Sequence, residues 1–529
     1  MEHFSCDVLV IGSGGAGLRA AIACREKGLD VCVISKASIG KGTSTIVSGG
    51  VLAGTREGAS PETHMARTLQ AGRGINQREL VQVLVEEGPM RLRELVQWGI
   101  KGEFHRGYLF SKGRPPMWGA EIIRCLVEKN RELGTRFMEA IVVAELIIRD
   151  GAAGVIGYAV DSGRGLTVSA KAIVLATGGA GALFHRHDNP KRMLGDGYIL
   201  AYNAGAVLQN LEFVQFYPLG MAEPGLPSFL IPPRLADLNG LFNNSGEEIH
   251  EKYNITERPA GEHARDRLSQ ALFTEIYRND EAIWLDLTGV SEDNWGKDPF
   301  SVSTRKILRE RYGAKHRALR VAPMAHHVMG GVRIDTRCST SVPGLYAAGE
   351  VTGGVHGANR MGGNALTEIL VFGKRAGDAS AAWVKNNDTG PKSLTDQELR
   401  AYFKKISPDK EHLNPVQLTE QLQKIMWADG GIMRNKNGLS RALERVKRIQ
   451  IKAYKASLER DPSVVQRILE LRFAAQTASL ILQAALKREE SRGAHFREDF
   501  PNQNDEKWRG HLQVRRGPQG DGILEFKPI

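Results

Sequence analysis

Glycines at fixed spacing near the N-terminus are the residues of this chain most suggestive of chemistry. Gly12, Gly14 and Gly17 form a Gly-x-Gly-x-x-Gly pattern. The apolar run at residues 8–11, directly before them, predicts a buried parallel strand. The glycines let the backbone turn tightly and approach a pyrophosphate, whose charge faces the N-terminus of a helix predicted at residues 19–27. This strand–turn–helix context predicts a dinucleotide-binding site.

Two further strand-and-glycine motifs decide which dinucleotide is expected. Residues 172–179 end in Ala-Thr-Gly-Gly, and residues 344–350 end in Ala-Ala-Gly-Glu. Both endings resemble the two-segment FAD domain of the glutathione-reductase type, in which Glu350 would accept hydrogen bonds from cofactor hydroxyl groups. Asp196, between two glycines, offers another carboxylate. The sequence has no second Gly-x-Gly-x-x-Gly pattern, so a nicotinamide cofactor as the direct reductant is disfavoured.

The composition is that of an ordinary globular enzyme with several domains. The 529 residues are 42% hydrophobic and 25% charged, which allows a sizeable core. The net charge of +11 does not indicate nucleic acid, because the basic residues are spread along the chain. A basic run at residues 441–455 has the helical spacing typical of a solvated or partner-docking face.

Cysteine usage and hydropathy restrict the remaining classes. The five cysteines are scattered and no Cys-x-x-Cys occurs, so the sequence predicts no iron–sulfur cluster, c-type haem, zinc or other metal site in this chain. The chain has no apolar run that approaches the ~20 residues of a membrane span, and we expect no signal peptide before the first strand. We therefore expect a cytoplasmic protein that contacts a membrane only through partners.

Several motifs beyond the glycine stretches occur in the order of one enzyme family. They lie at residues 211–216, 263–266, 326–331 and 489–501. Together with the glycine motifs, they resemble the flavoprotein subunits of succinate dehydrogenase and fumarate reductase, a family that includes L-aspartate oxidase. The resemblance covers nearly the whole chain, and it implies an FAD-dependent oxidoreductase that acts on CH–CH bonds.

The resemblance implies an α/β fold. A doubly wound, two-segment FAD-binding domain of the glutathione-reductase type is expected at residues 1–220 and 337–385, with an inserted α+β capping domain at residues 221–336. Apolar residues every three or four positions predict a C-terminal helical domain at residues 395–488. Residues 489–529, rich in Arg, Gly, Asp and Pro, are expected to form an irregular arm on the surface.

FAD is the cofactor that the resemblance implies, held by the glycine motifs and their neighbours. The expected binding residues are Gly12, Gly14, Gly15, Gly17, Ser35, Lys36, Thr43, Ser44, Gly49, Gly50, Ala176, Thr177, Gly178, Asp196, Glu350, Asn364, Ala365 and Leu366. Relatives with covalent FAD carry a histidine immediately before a run that ends in paired glycines. Here Thr43 occupies that position, and no histidine lies between His3 and His64. We therefore predict that FAD is bound non-covalently.

Three cationic residues match the family's reaction site. Arg265 matches the arginine that protonates the substrate, and His326 and Arg360 match a clamp on one substrate carboxylate. A guanidinium gives the clamp a planar fork of donors, and an imidazole adds an oriented donor. The implied reaction reduces a C=C bond adjacent to a carboxylate, with hydride from flavin N5 and a proton from Arg265.

The other end of the pocket departs from the family pattern. The family's substrate loop normally reads Phe-His-Pro-Thr-Gly, and here Tyr217 and Leu219 replace the His and the Thr. Pro232 and Pro233 are the best match to a Thr–Glu pair whose Glu supplies protons to the arginine. A second substrate carboxylate would be buried there without donors, which is costly in an apolar setting. The partner molecule is therefore expected to be a small carboxylate substrate, with succinate and fumarate as weak substrates and a bulkier or monocarboxylic enoate preferred.

Electrons must reach the flavin from outside this chain, since the sequence predicts no cluster of its own. We expect the partner to be an iron–sulfur electron-transfer subunit, and we expect no nucleic acid. Two alternatives remain open, namely a non-catalytic flavin subunit of a larger redox complex and an L-aspartate-oxidase-like enzyme. The retained Arg265, His326 and Arg360 favour a catalytic subunit, whereas Pro232 and Pro233 favour the non-catalytic alternative.

Overall fold

The computed structural model describes residues 2–529 with short gaps. The gaps are residues 55–59, 115, 150–151, 311–317, 388–394, 407–411, 459–460 and 519. The strands among the described residues are β1 Glu2–Ile11, β2 Val31–Ile34, β3 Val51–Ala53, β4 Gly102–His105, β5 Tyr108–Ser111, β6 Arg136–Met138, β7 Ile141–Arg149, β8 Ala152–Ala159, β9 Arg164–Leu175, β10 Leu208–Gln209, β11 Val214–Met221, β12 Leu241–Phe242, β13 Ile283–Leu285, β14 Leu319–Val328, β15 Gly331–Arg333, β16 Leu345–Ala347, β17 Thr352–Gly353, β18 Gly510–Arg516 and β19 Gly522–Pro528. The helices are α1 Gly15–Arg25, α2 Ser44–Val47, α3 Pro61–Ala71, α4 Arg78–Gln97, α5 Ala120–Glu132, α6 Asp196–Asn203, α7 Ile249–Lys252, α8 Ala260–His263, α9 Arg265–Tyr277, α10 Glu292–Gly296, α11 Pro299–Glu310, α12 Asn364–Asn386, α13 Asp396–Ile406, α14 Pro415–Asp429, α15 Lys436–Lys455, α16 Pro462–Lys487 and α17 Asp505–Trp508.

The largest sheet has the expected nucleotide-binding architecture. Its strands lie in the order β6-β2-β1-β9-β8-β7, and β16 from the second chain segment pairs with β9. β1, β2, β6, β9 and β16 are parallel, whereas β7, β8 and β9 pair in antiparallel fashion. β2 is buried along its whole length, as its run of Val, Cys and Ile predicts. The predicted fold class is confirmed.

The turn after β1 requires glycine for steric reasons. Gly12 has a φ of +113°, and a Cβ at this position would lie 2.2 Å from the carbonyl oxygen of Ala176. A Cβ at Gly17 in α1 would lie 1.9 Å from the carbonyl oxygen of Gly12. These two glycines therefore let α1 pack closely on the ends of β1 and β9.

The cap is built on a four-stranded antiparallel sheet. Its strands lie in the order β11-β14-β13-β12, and the long strands β11 and β14 pair from Val214 onwards. The cap sheet thus begins before the expected boundary at residue 221, because β11 carries the chain from the FAD domain into the cap. The cap has an apolar core of its own, which includes Leu219, Leu268 and Leu272.

The C-terminal helices follow the predicted periodicity. α15 packs against both α14 and α16, and α16 also packs against α6 of the FAD domain. The buried positions of α15, such as Leu439, Ala442, Val446 and Ile449, recur at helical spacing. Within the part of the chain that the structure describes, every helix is too short or too polar to cross a lipid bilayer.

The segment at residues 489–529 differs from the expected surface arm. β18 and β19 form a hairpin that joins β10, β15 and β17 in a five-stranded sheet. Arg488 and Arg492 are buried, and Arg488 contacts Glu212 at 2.6 Å and Glu490 at 2.9 Å. Charged residues in this segment were expected to be exposed. Here they are buried, because they form ion pairs and hydrogen bonds with one another. The expectation of an irregular surface arm is therefore wrong.

Candidate functional site

A cavity of about 1150 Å³ lies where the FAD-domain strands face the cap. Ile11, Ile34 and Ala176 line it from the carboxyl ends of β1, β2 and β9, and Tyr217 and His326 line it from the cap strands. This edge is where open α/β sheets bind their ligands. The volume exceeds the ~300–1,000 Å³ of ordinary small-molecule pockets, so there is room for a dinucleotide together with a small substrate.

Most of the residues predicted to hold FAD line this cavity. They are Gly12, Gly14, Gly15, Ser35, Lys36, Thr43, Ser44, Gly49, Gly50, Ala176, Thr177, Gly178, Asp196, Glu350, Ala365 and Leu366. Gly17 and Asn364 are not among the lining residues. Gly17 packs against the glycine turn, and Asn364 is fully buried and bonded to His64 at 2.7 Å and to Thr68 at 2.9 Å. These two residues therefore pack in the layer beneath the residues that line the cavity.

The glycine turn forms an anion-binding surface that fits a dinucleotide. Gly14 precedes α1 and has no side chain to cap the helix, and a Cβ there would meet only Thr43, at 3.9 Å. The N-terminus of α1 is therefore open to the cavity, where its partial positive charge favours a pyrophosphate. Thr177 Oγ1 is buried without a hydrogen-bond partner among the described residues. The open helix N-terminus and the orphaned hydroxyl both belong to residues that line the cavity, and both fit FAD.

Lys36 and Asp196, both predicted to contact the cofactor, contact each other. The Lys36 Nζ atom lies 2.7 Å from Asp196 Oδ2, and 3.8 Å from Glu470 of α16. Burial raises the pKa of Glu470, and the charge of Lys36 opposes that rise. This ion pair ties the end of β2 to the start of α6 and to the helical domain.

Glu350 follows β16 and lines the cavity, with its side chain 10% exposed. Its Oε1 atom accepts a hydrogen bond from the Val328 N–H at 3.1 Å and lies 3.6 Å from His327 Nδ1. Burial raises the pKa of Glu350 to about 7. Near neutral pH this group can therefore accept a hydrogen bond as a carboxylate or donate one as an acid.

Arg265, His326 and Arg360, predicted from separate motifs, line the same cavity. Arg265 begins α9, His326 lies near the end of β14, and Arg360 precedes α12. The Tyr217 ring contacts two of them, with its centroid 5.5 Å from the His326 ring and 5.4 Å from the guanidinium carbon of Arg265. The fold thus brings His326 and Arg265 against one tyrosine in the cavity that Arg360 also lines.

The family pattern places Tyr217 and Leu219 together in the pocket wall. Tyr217 does line the cavity, and its hydroxyl donates to the Ile231 carbonyl at 2.6 Å. Leu219 is not among the lining residues, since its side chain is fully buried in the cap core. The pairing of β11 with β14 shifts register between Tyr217 and Gly220, so positions two apart no longer share a face. This placement corrects the expectation for Leu219.

Burial dominates the electrostatics of the cationic cluster. Burial, followed by the charge of Arg265, lowers the pKa of Arg360 to about 10. Arg360 therefore still carries its charge at neutral pH. Burial also lowers the pKa of His326, and the charge of Asp188 works in the opposite direction. Charged groups held in a partly desolvated cavity favour an anionic ligand.

Asp188 is a residue of this site that the sequence analysis does not identify. Its Oδ2 atom lies 2.6 Å from His326 Nδ1, and both side chains line the cavity. The two residues are 138 positions apart in the chain. The available sequence signal is the polar run at residues 185–189 after the strand that ends in Ala-Thr-Gly-Gly, and that run does not point to His326.

A second buried cluster lies next to the cations. The ligand atoms of His327, His356 and Glu368 all lie within 4.8 Å of one another, close enough to hold a metal ion. His356 Nε2 and Glu368 Oε2 are already bonded to each other at 2.8 Å. The nearby charge of Arg360 adds to the effect of burial in lowering the pKa of His327, and it opposes a bound cation. We therefore interpret the cluster as hydrogen-bonded support for the cavity.

Comparisons with known proteins agree with this architecture. The family model described as FAD binding domain matches residues 7–366, and the model described as fumarate reductase flavoprotein C-term matches residues 419–529. The chain is 34% identical to an uncharacterized FAD-dependent oxidoreductase of Methanocaldococcus jannaschii, with 96% of each chain covered. It is 33% identical to one subunit of the fumarate reductase (CoM/CoB) of Methanothermobacter marburgensis, with 97% and 98% covered, and L-aspartate oxidases are also among its relatives. A solved quinol–fumarate reductase with menaquinol molecules superposes with a TM-score of 0.88 at 25% identity, covering 100% of this chain and 99% of the other.

Proposed function

Because this chain belongs to the FAD-dependent oxidoreductase family of fumarate reductase and succinate dehydrogenase flavoprotein subunits, we propose that it reduces a C=C bond adjacent to a carboxylate. The observation that carries this proposal is that Arg265, His326 and Arg360 line one cavity with the glycine turn after β1. Bound FAD would supply the hydride. The residues of this chain then have to hold the substrate and provide the proton.

His326 and Arg360 are the proposed clamp for the substrate carboxylate. Arg360 is charged at neutral pH and 7% exposed, so its attraction for an anion is little screened by solvent. Its Nε atom is buried without a partner among the described residues, which leaves a donor for a ligand to satisfy. Clamping one carboxylate fixes which face of the double bond meets the cofactor.

Arg265 is the proposed proton donor to the carbon that does not receive the hydride. Its side chain is 7% exposed, and its Nε donates to the Gly261 carbonyl at 3.1 Å, which fixes the direction of the guanidinium. The Tyr217 ring packs against the guanidinium. A desolvated and oriented arginine can act as an acid despite its ordinary pKa above ~12.

The test of this function is anaerobic reoxidation of the dithionite-reduced protein by a panel of enoates. We expect at least one carboxylate-bearing enoate to restore the oxidised flavin spectrum at a rate that saturates with its concentration. A panel in which every enoate fails, with FAD shown to be bound, would contradict the proposal.

Two alternatives carry specific support. Pro232 and Pro233 line the cavity where relatives carry a Thr–Glu pair, which favours a non-catalytic flavin subunit in a larger redox complex. The identity to L-aspartate oxidases favours an amino-acid oxidase. Reduction of the flavin by L-aspartate, followed by reoxidation with oxygen, would identify the oxidase. A flavin that exchanges electrons with dyes while neither L-aspartate nor any enoate reacts would identify the non-catalytic subunit.

We predict that FAD is bound without a covalent link. Thr43 stands where relatives with covalent FAD carry histidine, and Thr43 Oγ1 donates to the Gly40 carbonyl at 3.0 Å. A threonine in this position offers no imidazole nitrogen to the flavin. Acid precipitation should therefore release all the yellow colour into the supernatant. Colour retained in the precipitated protein would refute the prediction.

An iron–sulfur subunit is the proposed electron donor. The five cysteines of this chain are buried, and among the described residues no cysteine belongs to a group of side chains close enough together to hold a metal ion. Burial raises the pKa of Cys6, Cys24 and Cys338, which keeps these thiols protonated and unsuited to bind iron. Purification under native conditions should recover a second, cysteine-rich chain. Rapid reduction of the flavin by NADH with the isolated chain would count against this partner.

A further inference from the structure

The hydrogen bond between Asp188 and His326 determines which ring nitrogen of His326 carries hydrogen. A carboxylate only accepts hydrogen bonds, so the contact of 2.6 Å between Asp188 Oδ2 and His326 Nδ1 places the hydrogen on Nδ1. A neutral imidazole has one N–H group, and its Nε2 atom then carries a lone pair. His326 lines the cavity with its side chain 20% exposed, and Asp188 is the hydrogen-bond partner described for its ring. Neutral His326 therefore presents an acceptor to the cavity.

A substrate carboxylate needs a donor from His326, and neutral His326 presents an acceptor. We propose that Asp188 makes the His326 clamp protonation-coupled, so that a carboxylate binds His326 together with one proton at Nε2. This inference rests on the proposed binding of a carboxylate at His326 and adds Asp188 as a positioning residue. The proton comes from solvent, bonds to the Nε2 lone pair, and returns to solvent when the anion leaves.

The charges around His326 make Asp188 the group that permits this protonation. Arg265 from α9 and Arg360 from the loop before α12 both disfavour a positive charge on His326. His327, the next residue of β14, faces Glu350, and the Tyr217 ring from β11 contacts the imidazole without a charge. Asp188 is the carboxylate in direct contact with the ring, and its negative charge offsets the two arginines.

The coupling has a defined pH dependence. Protonated His326 binds the anion, so affinity is expected to fall as pH rises through the pKa of His326 in the free protein. Asp188→Asn keeps the shape and a hydrogen-bond acceptor for Nδ1 but removes the charge that opposes Arg265 and Arg360. The substitution should therefore lower the pKa of His326 further and move the loss of affinity to lower pH.

The experiment measures crotonate binding to the oxidised FAD-loaded protein, in which no reduction can occur. Affinity is measured from the change in flavin absorbance on binding. The measurements run from pH 5 to 9, because this range spans the unperturbed histidine pKa of ~6.5. Proton uptake is read from an indicator dye in weak buffer. Wild type should take up close to one proton per bound crotonate at high pH, and Asp188→Asn should bind roughly tenfold more weakly at neutral pH.

Two variants separate this mechanism from a general effect on the cavity. His326→Gln carries a permanent amide N–H donor, so its residual binding should occur without proton uptake. Glu257→Gln removes another carboxylate that lines the cavity and pairs with Arg267, and it should keep the wild-type pH dependence. Absence of crotonate binding, binding without proton uptake, or an Asp188→Asn protein that matches wild type would each overturn the inference. If crotonate binds with proton uptake but no enoate reoxidises the reduced flavin, the proposed reaction fails and the clamp stands.

Discussion

Replacing Arg265 with glutamine is expected to lower enoate-dependent reoxidation by roughly 10²–10⁴-fold while FAD stays bound. Glutamine can donate a hydrogen bond to the substrate, but it cannot supply a proton and recover it. Arg265 contacts the Gly261 carbonyl and the Tyr217 ring at the start of α9, and glutamine preserves the start of this side chain, so the cap should fold. Stopped-flow absorbance of the dithionite-reduced protein measures the effect directly.

Arg267→Gln is the matched control, because Arg267 lies on the same helix outside the cavity. Its side chain is 45% exposed and pairs with Glu257, which is 41% exposed, so solvent screens the pair and the change should leave the rate near the wild-type value. Flavin content and thermal unfolding are compared for both variants. If Arg265→Gln reoxidises as fast as wild type with every accepted enoate, the assignment of Arg265 as proton donor is wrong.

Fumarate is expected to be a poor substrate relative to a monocarboxylic enoate with an apolar substituent. We expect kcat/KM for fumarate to be at least ~100-fold lower, which corresponds to about 2.7 kcal/mol of lost transition-state stabilisation. In the proposed clamp, one carboxylate binds at His326 and Arg360. The second carboxylate would then face a part of the cavity where this chain lacks the His and Thr donors of the family pattern, and burying an unpaired charge is costly.

The walls of the cavity contributed by the cap support this expectation. Leu230, Pro232 and Pro233 line it, and the Tyr217 hydroxyl is committed to the Ile231 carbonyl. Besides Arg265, two arginines of the cap line the cavity, and both are paired, Arg234 with Asp298 at 2.7 Å and Arg258 with Asp237 at 3.3 Å. His263 and Lys297 line it as well, but both are exposed, so solvent weakens their attraction for an anion.

Two substitutions test which residue of β11 limits fumarate. Tyr217→His restores the family residue at a lining position and should lower KM for fumarate, while Pro233 in place of the relay Glu should keep kcat low. Leu219→Thr also restores a family residue, but it lies in the cap core, so it should reduce thermal stability without improving fumarate binding. Fumarate turnover by wild type at roughly 10 per second or more would contradict the predicted selectivity.

Local sequence patterns determined the nucleotide-binding half of the fold. Residues 8–11 and 31–34 are buried parallel strands as predicted, because both faces of such strands are covered and their apolar runs are continuous. The glycine turn was also predictable from the sequence, because the backbone at position 12 leaves no room for a Cβ and only glycine lacks one. The helices α15 and α16 follow from apolar spacing at 3.6 residues per turn.

The cationic cluster was also predictable, residue by residue, from motif resemblance. Arg265, His326 and Arg360 lie in separate motifs, and only the resemblance to the family assigned them to one reaction site. Arginine and histidine side chains can donate hydrogen bonds to a carboxylate, and a short motif is enough to specify such residue types. Their proximity depends on the cap sheet, in which β11 and β14 pair across a long insertion.

Tertiary structure alone decided the contacts that depend on register and on long-range pairing. Leu219 leaves the pocket because of a register shift between two strands, and no property of Leu219 itself encodes that shift. Arg488 can be buried because it forms ion pairs with Glu212 and Glu490. Its charge, taken alone, had suggested an exposed position. Asp188 reaches His326 across 138 positions. In the sequence, Asp188 looks like any acidic residue of a polar surface loop. Only the fold places it against an imidazole.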